Sequence, residues 1–375
     1  MPLDTIYLTR HGHRLNWTID YKTGTYHSQF PTPTGNPADP TLTSHGVRQS
    51  HELAAHFVSA DVSPKPFRVY SSPFYRCLQT IQPAVEGLSK LKLKLKLEGR
   101  EKAWKGGIDE DADFGVRVES GLGEWFGPTT FFTHPSPASL STLHKHFPSI
   151  LPSPQPPKVQ EILTPSPTGE SIPQLHDRLA TTLSQLLSDL DTEITALESS
   201  LPPHRRTSKA VLICSHAAPL IAMGRVLTGR MPDDPAEEDF AVFTAGVSTF
   251  VRRRQPSFDG AGVGVEVKYG PKDAGYGGTE AGHLAPGTRS MRESDGGELE
   301  LVVPEWRGGR GVGGGWECVS NGDCGFLSQG RERGWHFNGE EDFDTGAMAG
   351  SGALPTSSLD TKAEVEVGVD GGSKL

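Results

Sequence analysis

Apolar residues along this chain fall into short continuous runs and longer periodic stretches that alternate. Thr5–Thr9 is a brief apolar run that stops at Arg10-His11-Gly12, which predicts a buried strand leading into a loop. Thr43 or Ser44 can cap a helix reaching Ala60, with Val47, Leu53, Ala54 and Phe57 on its apolar side. Phe67–Ser71 predicts a second strand and Pro73–Val85 a second helix. Ser89–Leu97 alternates Lys and Leu with period two, the pattern of a half-buried strand. From Ile172 to Glu198, Leu175, Leu179, Leu183, Leu186 and Leu190 recur along one side of a long helix. Ala210–Cys214 predicts a buried strand, Pro219–Leu227 a helix stopped by Gly229, and Val242–Val251 a last strand.

Alternating strands and helices predict a three-layer α/β/α fold, a mostly parallel sheet with helices on both faces. Ligands of such sheets bind at the carboxyl ends of the strands. Arg10-His11, Ser71-Ser72 and Ser215-His216 all fall there.

Composition divides the chain. Of its 44 Gly, 28 lie in residues 256–375, which also carry 10 Lys/Arg and 20 Asp/Glu. The whole net charge of -10 therefore belongs to this segment, and residues 1–255 are neutral. We expect a domain over 1–255 followed by a largely disordered, Gly-rich acidic tail, because frequent Gly raises the entropy lost on ordering. Two stretches within it, 298–306 and 325–343, are richer in apolar residues; Trp335 and Phe337 suggest a short strand or a segment that docks a protein partner. Ten Pro between residues 128 and 168 mark a surface insertion in the domain.

The acidic balance disfavours bulk attraction to nucleic acid or an anionic membrane. No apolar run approaches the roughly 20 residues of a membrane span. Met-Pro-Leu-Asp-Thr lacks the basic start and apolar stretch of a signal peptide, so a cytoplasmic or nuclear location is expected. Cys77, Cys214, Cys318 and Cys324 are too few and scattered for a disulfide framework, and the last two lack the close pairing of a zinc site. The lysines of 90–96 read as a solvated face, whereas Arg252-Arg253-Arg254 is a candidate localisation or partner signal.

Chemistry concentrates at the strand ends. Arg10-His11-Gly12-His13-Arg14, Arg76 at a strand-to-helix junction and His216 after a strand bring guanidinium and imidazole groups together. Arg binds phosphate oxygens bidentately, and helix N-termini add backbone N–H donors. A cationic pocket of this kind suits a phosphoryl group.

The chain resembles the histidine phosphatase (phosphoglycerate mutase-like) superfamily. The resemblance rests on Arg10-His11-Gly12, then Leu42, Thr43, Gly46 and Gln49, then Ser72, Pro73, Arg76, Gln79 and Thr80, then Gly169-Glu170-Ser171, and finally Ser215-His216, in family order over residues 4–251. It implies that His11 is a nucleophile forming a phosphohistidine that water cleaves, and that Arg10, Arg14, Arg76 and His216 bind the phosphoryl oxygens. It implies no cofactor and no metal. A Glu-x-x-x-Gly-x-Trp-x-Gly segment puts the general acid at Glu119, with Glu124 the alternative. Mutases carry Glu-Ser after Arg-His-Gly, where this chain has His13 and Arg14, which favours hydrolysis of a phosphorylated small molecule or phosphoprotein. The Arg-His-Gly-His-Arg start, the insertion and the stretch around Trp335 are also similar to fungal relatives of the histidine-phosphatase-like subunit of RNA polymerase III transcription factor C, a weakly active or inactive interaction protein being the alternative function.

Overall fold

The computed structural model describes residues 2–99, 107–152, 161–253, 283–294, 297–298 and 301–338. In chain order the strands are β1 (Thr5–Arg10), β2 (Trp17–Asp20), β3 (Thr25–Ser28), β4 (Pro66–Ser71), β5 (Val116–Val118), β6 (Leu163–Thr164), β7 (Ala210–Ser215), β8 (Val247–Arg252), β9 (Arg289–Ser290), β10 (Glu293–Ser294), β11 (Gly297–Glu298) and β12 (Trp316–Asp323). The helices are α1 (Ser44–Val58), α2 (Tyr75–Leu97), α3 (Leu140–His146), α4 (Ile172–Glu198) and α5 (Ala217–Thr228).

The apolar runs become a six-stranded sheet of order β12-β8-β1-β7-β4-β5. β1, β7, β4 and β5 are parallel, with Arg10 opposite Ser215 and Ser71 opposite Cys214. β8 and β12 close one side antiparallel. Helix α1 packs on α2, and α4 on α5, completing the expected three-layer α/β architecture with a mostly parallel sheet. Local chemistry sets the helix ends. Thr43 caps α1 by accepting from the Gly46 N–H. Ser171 and Gln174 form a capping box at α4. Gly229 stops α5 in the left-handed region, φ +75°.

The Lys/Leu alternation of 89–97 is not a strand; it continues α2 to Leu97. No turn signal separates it from the preceding helix, and Leu and Lys are good helix formers. Leu88, Leu91 and Leu95, spaced three and four apart, face the core, whereas Leu93 and Leu97 are exposed. The last apolar stretch begins as a strand only at Val247, because Ala245 takes a positive φ of 55° in the bend before it.

Beyond residue 255 the segment read from sequence as tail contributes β12, paired with β8 at the edge of the sheet. Trp306, Trp316 and Phe337 are fully buried in the core. Trp306 stacks on His176 at 5.9 Å, and Arg252 lies over Trp316 at 4.7 Å. The aromatic residues expected to dock a partner thus pack within the chain: Phe337 meets Trp125 at 5.5 Å and Trp335 at 4.9 Å. Arg252 pairs with Asp191 at 3.0 Å, and Arg253 donates to the carbonyls of Gly309 and Thr228, so neither is a free basic signal. Residues 256–282 and 339–375, including most of the expected tail, lie outside the described residues, as does Arg254. Among the described residues no helix is long and apolar enough to cross a membrane.

A strand and a helix make opposite demands on two leucines. In the helix, Leu95→Ala is expected to cost about 2–5 kcal/mol and Leu93→Ala under about 0.5 kcal/mol. Equal losses in urea denaturation would return 89–97 to a strand face.

Candidate active site

The parallel strands β1, β4 and β7 end on the same side and deliver Arg10-His11, Ser72 and His216 to one place. The loop after β1 is clamped there by motif residues. Thr43 and Leu15 bond across to His13 and Thr41, and Gln49 Oε1 accepts from the His13 N–H at 2.8 Å. A Cβ on Gly46 would stand 2.0 Å from the His13 carbonyl oxygen, so α1 approaches this loop only because residue 46 is Gly. From α2, Thr80 Oγ1 accepts from the Gly12 N–H at 2.9 Å, and Gln79 Oε1 accepts from the Leu42 N–H at 2.8 Å.

His11 is buried, 2% exposed, and its Nδ1 lies 2.9 Å from the Gly12 carbonyl oxygen. A carbonyl can only accept, so Nδ1 carries the proton and Nε2 keeps its lone pair. Burial, then the charges of Arg76, His216, Arg10 and Arg14, hold the His11 pKa well below the ordinary histidine value. The imidazole is neutral, the state in which a ring nitrogen can attack.

Arg76 is fully buried, donating to the Ala38 carbonyl at 2.9 Å, to Asp39 Oδ1 at 3.1 Å and to Glu124 Oε2 at 2.9 Å. Asp39 also receives the N–H of Tyr75 at 2.7 Å, which fixes the start of α2. His216 Nε2 is 2.8 Å from Ser72 Oγ, and its Nδ1 is 3.2 Å from Glu124 Oε2. Burial opposes a charge on His216, but Cys77 and the Glu124 carboxylate outweigh it and raise its pKa. We therefore place the Nδ1 proton between His216 and Glu124, and read the 3.1 Å separation of Nδ1 from Arg76 Nη2 as two donors converging on one carboxylate.

Arg10 Nη1 is anchored on the carbonyls of Val242 and Arg333. Burial, and repulsion from neighbouring arginines, push Arg10 down to about 10 and Arg14 to about 9 despite the pull of Glu124. The Nε atoms of Arg10 and Arg76 are buried without a hydrogen-bond partner. Orphaned guanidinium donors beside a neutral imidazole form a site suited to an anion. His11, Glu124 and His216 bring ligand-type atoms within 4.8 Å of one another. The surrounding arginines nevertheless repel a cation and attract a phosphate.

The two candidate acids separate cleanly. Burial would raise Glu124, but His216 and Arg76 hold its carboxyl well below the usual range. Glu119 turns away to backbone: Oε1 accepts from the Gly121 N–H at 2.8 Å, and Oε2 from the Ile162 N–H at 2.7 Å. Burial pushes Glu119 up to about 7 in spite of these donors. The structure brings Arg10, His11, Arg14, Arg76, Glu124 and His216 together and leaves Glu119 as a tie to the insertion.

Gly169-Glu170-Ser171 reaches the site indirectly. Glu170 and Arg178 form a buried pair at 2.6 Å, and Arg178 Nη1 donates to the carbonyls of Gly121 and Gly123, fixing the loop that carries Glu124. Sequence reasoning missed Asp39, and it missed Glu332-Arg333. Glu332 accepts from Gln49 Nε2 at 2.9 Å and pairs with His45 beside His13. The stretch 325–343 stood out in the sequence as an aromatic island, but nothing in its composition points back to β1.

Residues 6–112 match the family model described as histidine phosphatase superfamily (branch 1). The chain is 30% identical over 230 residues to the transcription factor tau 55 kDa subunit of Saccharomyces cerevisiae, covering 61% of this chain and 42% of that protein. It is 32% identical over 138 residues to the ecdysteroid-phosphate phosphatase of Drosophila melanogaster, covering 32% of this chain and 15% of that protein. The chain thus spans less than half the length of these curated relatives. Among solved structures, the ecdysone phosphate phosphatase of Bombix mori in complex with tungstate aligns with a TM-score of 0.42 at 17% identity, covering 69% of this chain and 96% of that chain.

Glu119 has a consequence for stability. Its raised carboxyl pKa keeps the folded chain protonated where the unfolded chain has ionised, so its contribution is full below the unfolded value near 4.5 and is lost as pH rises towards about 7. Glu119→Gln is expected to lose less stability than the wild type across that window in thermal melts. Parallel profiles would mean that Glu119 is ionised in the folded chain.

Proposed function

We propose that the chain, a member of the histidine phosphatase superfamily by the match over residues 6–112, hydrolyses phosphomonoesters through a phosphohistidine on His11. The observation that carries this reading is the neutral, buried His11, its Nε2 lone pair free, among the unpartnered Nε–H donors of Arg10 and Arg76. In the first step Nε2 attacks phosphorus, the ester P–O bond breaks and the leaving oxygen takes a proton from Glu124. In the second, water attacks the phosphohistidine, Glu124 takes the proton of that water, the N–P bond returns its electrons to Nε2, and inorganic phosphate leaves. Arg10, Arg14, Arg76 and His216 hold the equatorial oxygens, where charge builds in both transition states.

Glu124 is ionised in the empty pocket because the charges beside it are positive. A bound phosphate dianion offsets those charges and favours the protonated carboxyl, so substrate binding itself arms the acid. That coupling assigns Glu124, rather than Glu119, the proton-transfer role.

His11→Ala is expected to abolish release of inorganic phosphate from 4-nitrophenyl phosphate. Glu124→Gln should lower turnover of alkyl phosphates by about 100-fold or more, and that of the nitrophenyl ester much less, since nitrophenolate leaves without a proton. Glu119→Gln should keep both activities. Equal phosphate release by wild type and His11→Ala would end the phosphohistidine reading.

A second reading has its own support. The 30% identity to a yeast transcription factor subunit favours a nuclear chain that works within a protein assembly, with hydrolysis accessory to that role. Tagged wild type and His11→Ala chains should then recover the same nuclear partners in affinity purification. Recovery of neither chain with any nuclear protein would remove this reading.

A further inference from the structure

A cavity of about 490 Å³ opens beside Glu124. One wall is a continuous aromatic series leading away from His216: Phe74 meets His216 edge-on at 5.0 Å, Phe126 follows at 6.5 Å from Phe74, and His134 stacks on Phe126 at 4.8 Å. His134 contributes a face rather than a charge. Its ring nitrogens are taken by Tyr26 Oη at 2.6 Å and the Gly127 carbonyl at 2.9 Å, and burial lowers its pKa to about 4. Pro135, Pro137, Ala138 and Leu140 of the Pro-rich insertion form the opposite side. Gly287 and Arg289 complete the rim, held by the pairing of β9 with β6.

Resting on the hydrolase reading above, we propose that this cavity receives the leaving group, and that the substrate is the phosphate monoester of a bulky, mainly apolar alcohol or phenol. The position of Glu124 argues for it. A carboxyl that protonates the leaving oxygen must stand where the phosphoryl pocket meets the space for the rest of the substrate, and Glu124 lines both. The size agrees, since sites for small organic ligands run from about 300 to 1,000 Å³ and are lined mostly by apolar groups with a few polar ones. A short polar alcohol would leave the cavity and its largely apolar lining unfilled; a fused ring system fills it. The insertion is in this assignment the element that lines the leaving-group side of the site.

The test separates binding from turnover by using phosphonates, which cannot be hydrolysed. Methyl-, benzyl- and 2-naphthylmethylphosphonate are titrated into the full chain by calorimetry, and the corresponding phosphate esters are assayed for phosphate release. Affinity is expected to rise at least about tenfold from methyl to naphthylmethyl, as burial of an aromatic surface predicts. Ala138→Phe and Leu140→Trp, which fill the cavity from the side of the insertion, should each cut that preference to threefold or less, with melting curves confirming that at least one variant is folded. Equal binding of the three phosphonates by the wild type, or a preference that survives both substitutions, overturns the leaving-group pocket even if the esters are hydrolysed. A graded affinity without hydrolysis of any ester keeps the pocket and overturns the hydrolase reading. Failure of all three to bind overturns both.

Discussion

Three guanidinium groups crowd the carboxyl ends of the parallel strands, and Glu124 is the acid that draws on all of them. Arg10, Arg14 and Arg76 share the pocket with two imidazoles, and the carboxylate common to their electrostatics is Glu124. It receives Arg76 at 2.9 Å and stands 3.2 Å from His216. Asp39 compensates Arg76 from the other side, from within the core. The compensation is deliberately incomplete: guanidinium Nε atoms remain without acceptors, and His11 stays neutral. A pocket in this state carries more donors than acceptors and so favours an anion.

Much of the remaining structure holds that balance in register. Glu170 and Arg178, buried together at 2.6 Å, fix the loop that presents Glu124. Gln49 ties three parts of the chain, accepting from His13 and donating to Thr244 and Glu332. Such residues stand behind the charged groups of the pocket and hold the segments that carry them at fixed spacing. Each motif pairs a charged group with the polar side chain that seats its neighbour.

The parallel core and the cluster of charged side chains at its strand ends were legible because they follow local rules: apolar runs make buried strands, and charged residues just after them project at the carboxyl ends. Reading failed where tertiary packing decided. The Lys/Leu repeat fits strand and helix alike, and only the position of Leu88, Leu91 and Leu95 against the core selects the helix. Glu119 and Glu124 are both acidic residues of one short segment. Their roles diverge because Glu119 caps the turn of 120–122 while Glu124, beyond it, emerges towards His216. A low-complexity segment gave little sign that it would supply β12 and bury two tryptophans, since its Gly content speaks for entropy and not for the few aromatic contacts that overcome it.

That last segment imposes an order on synthesis. Arg10, made among the first residues, has its guanidinium anchored by the carbonyl of Arg333, and the loop after β1 is braced through Gln49 by Glu332. A nascent chain halted near residue 300 therefore holds His11 and the arginines around it but not the segment that anchors Arg10. The pocket is complete only when residues 332 and 333 reach it, so charged groups made early in synthesis wait for a segment made late.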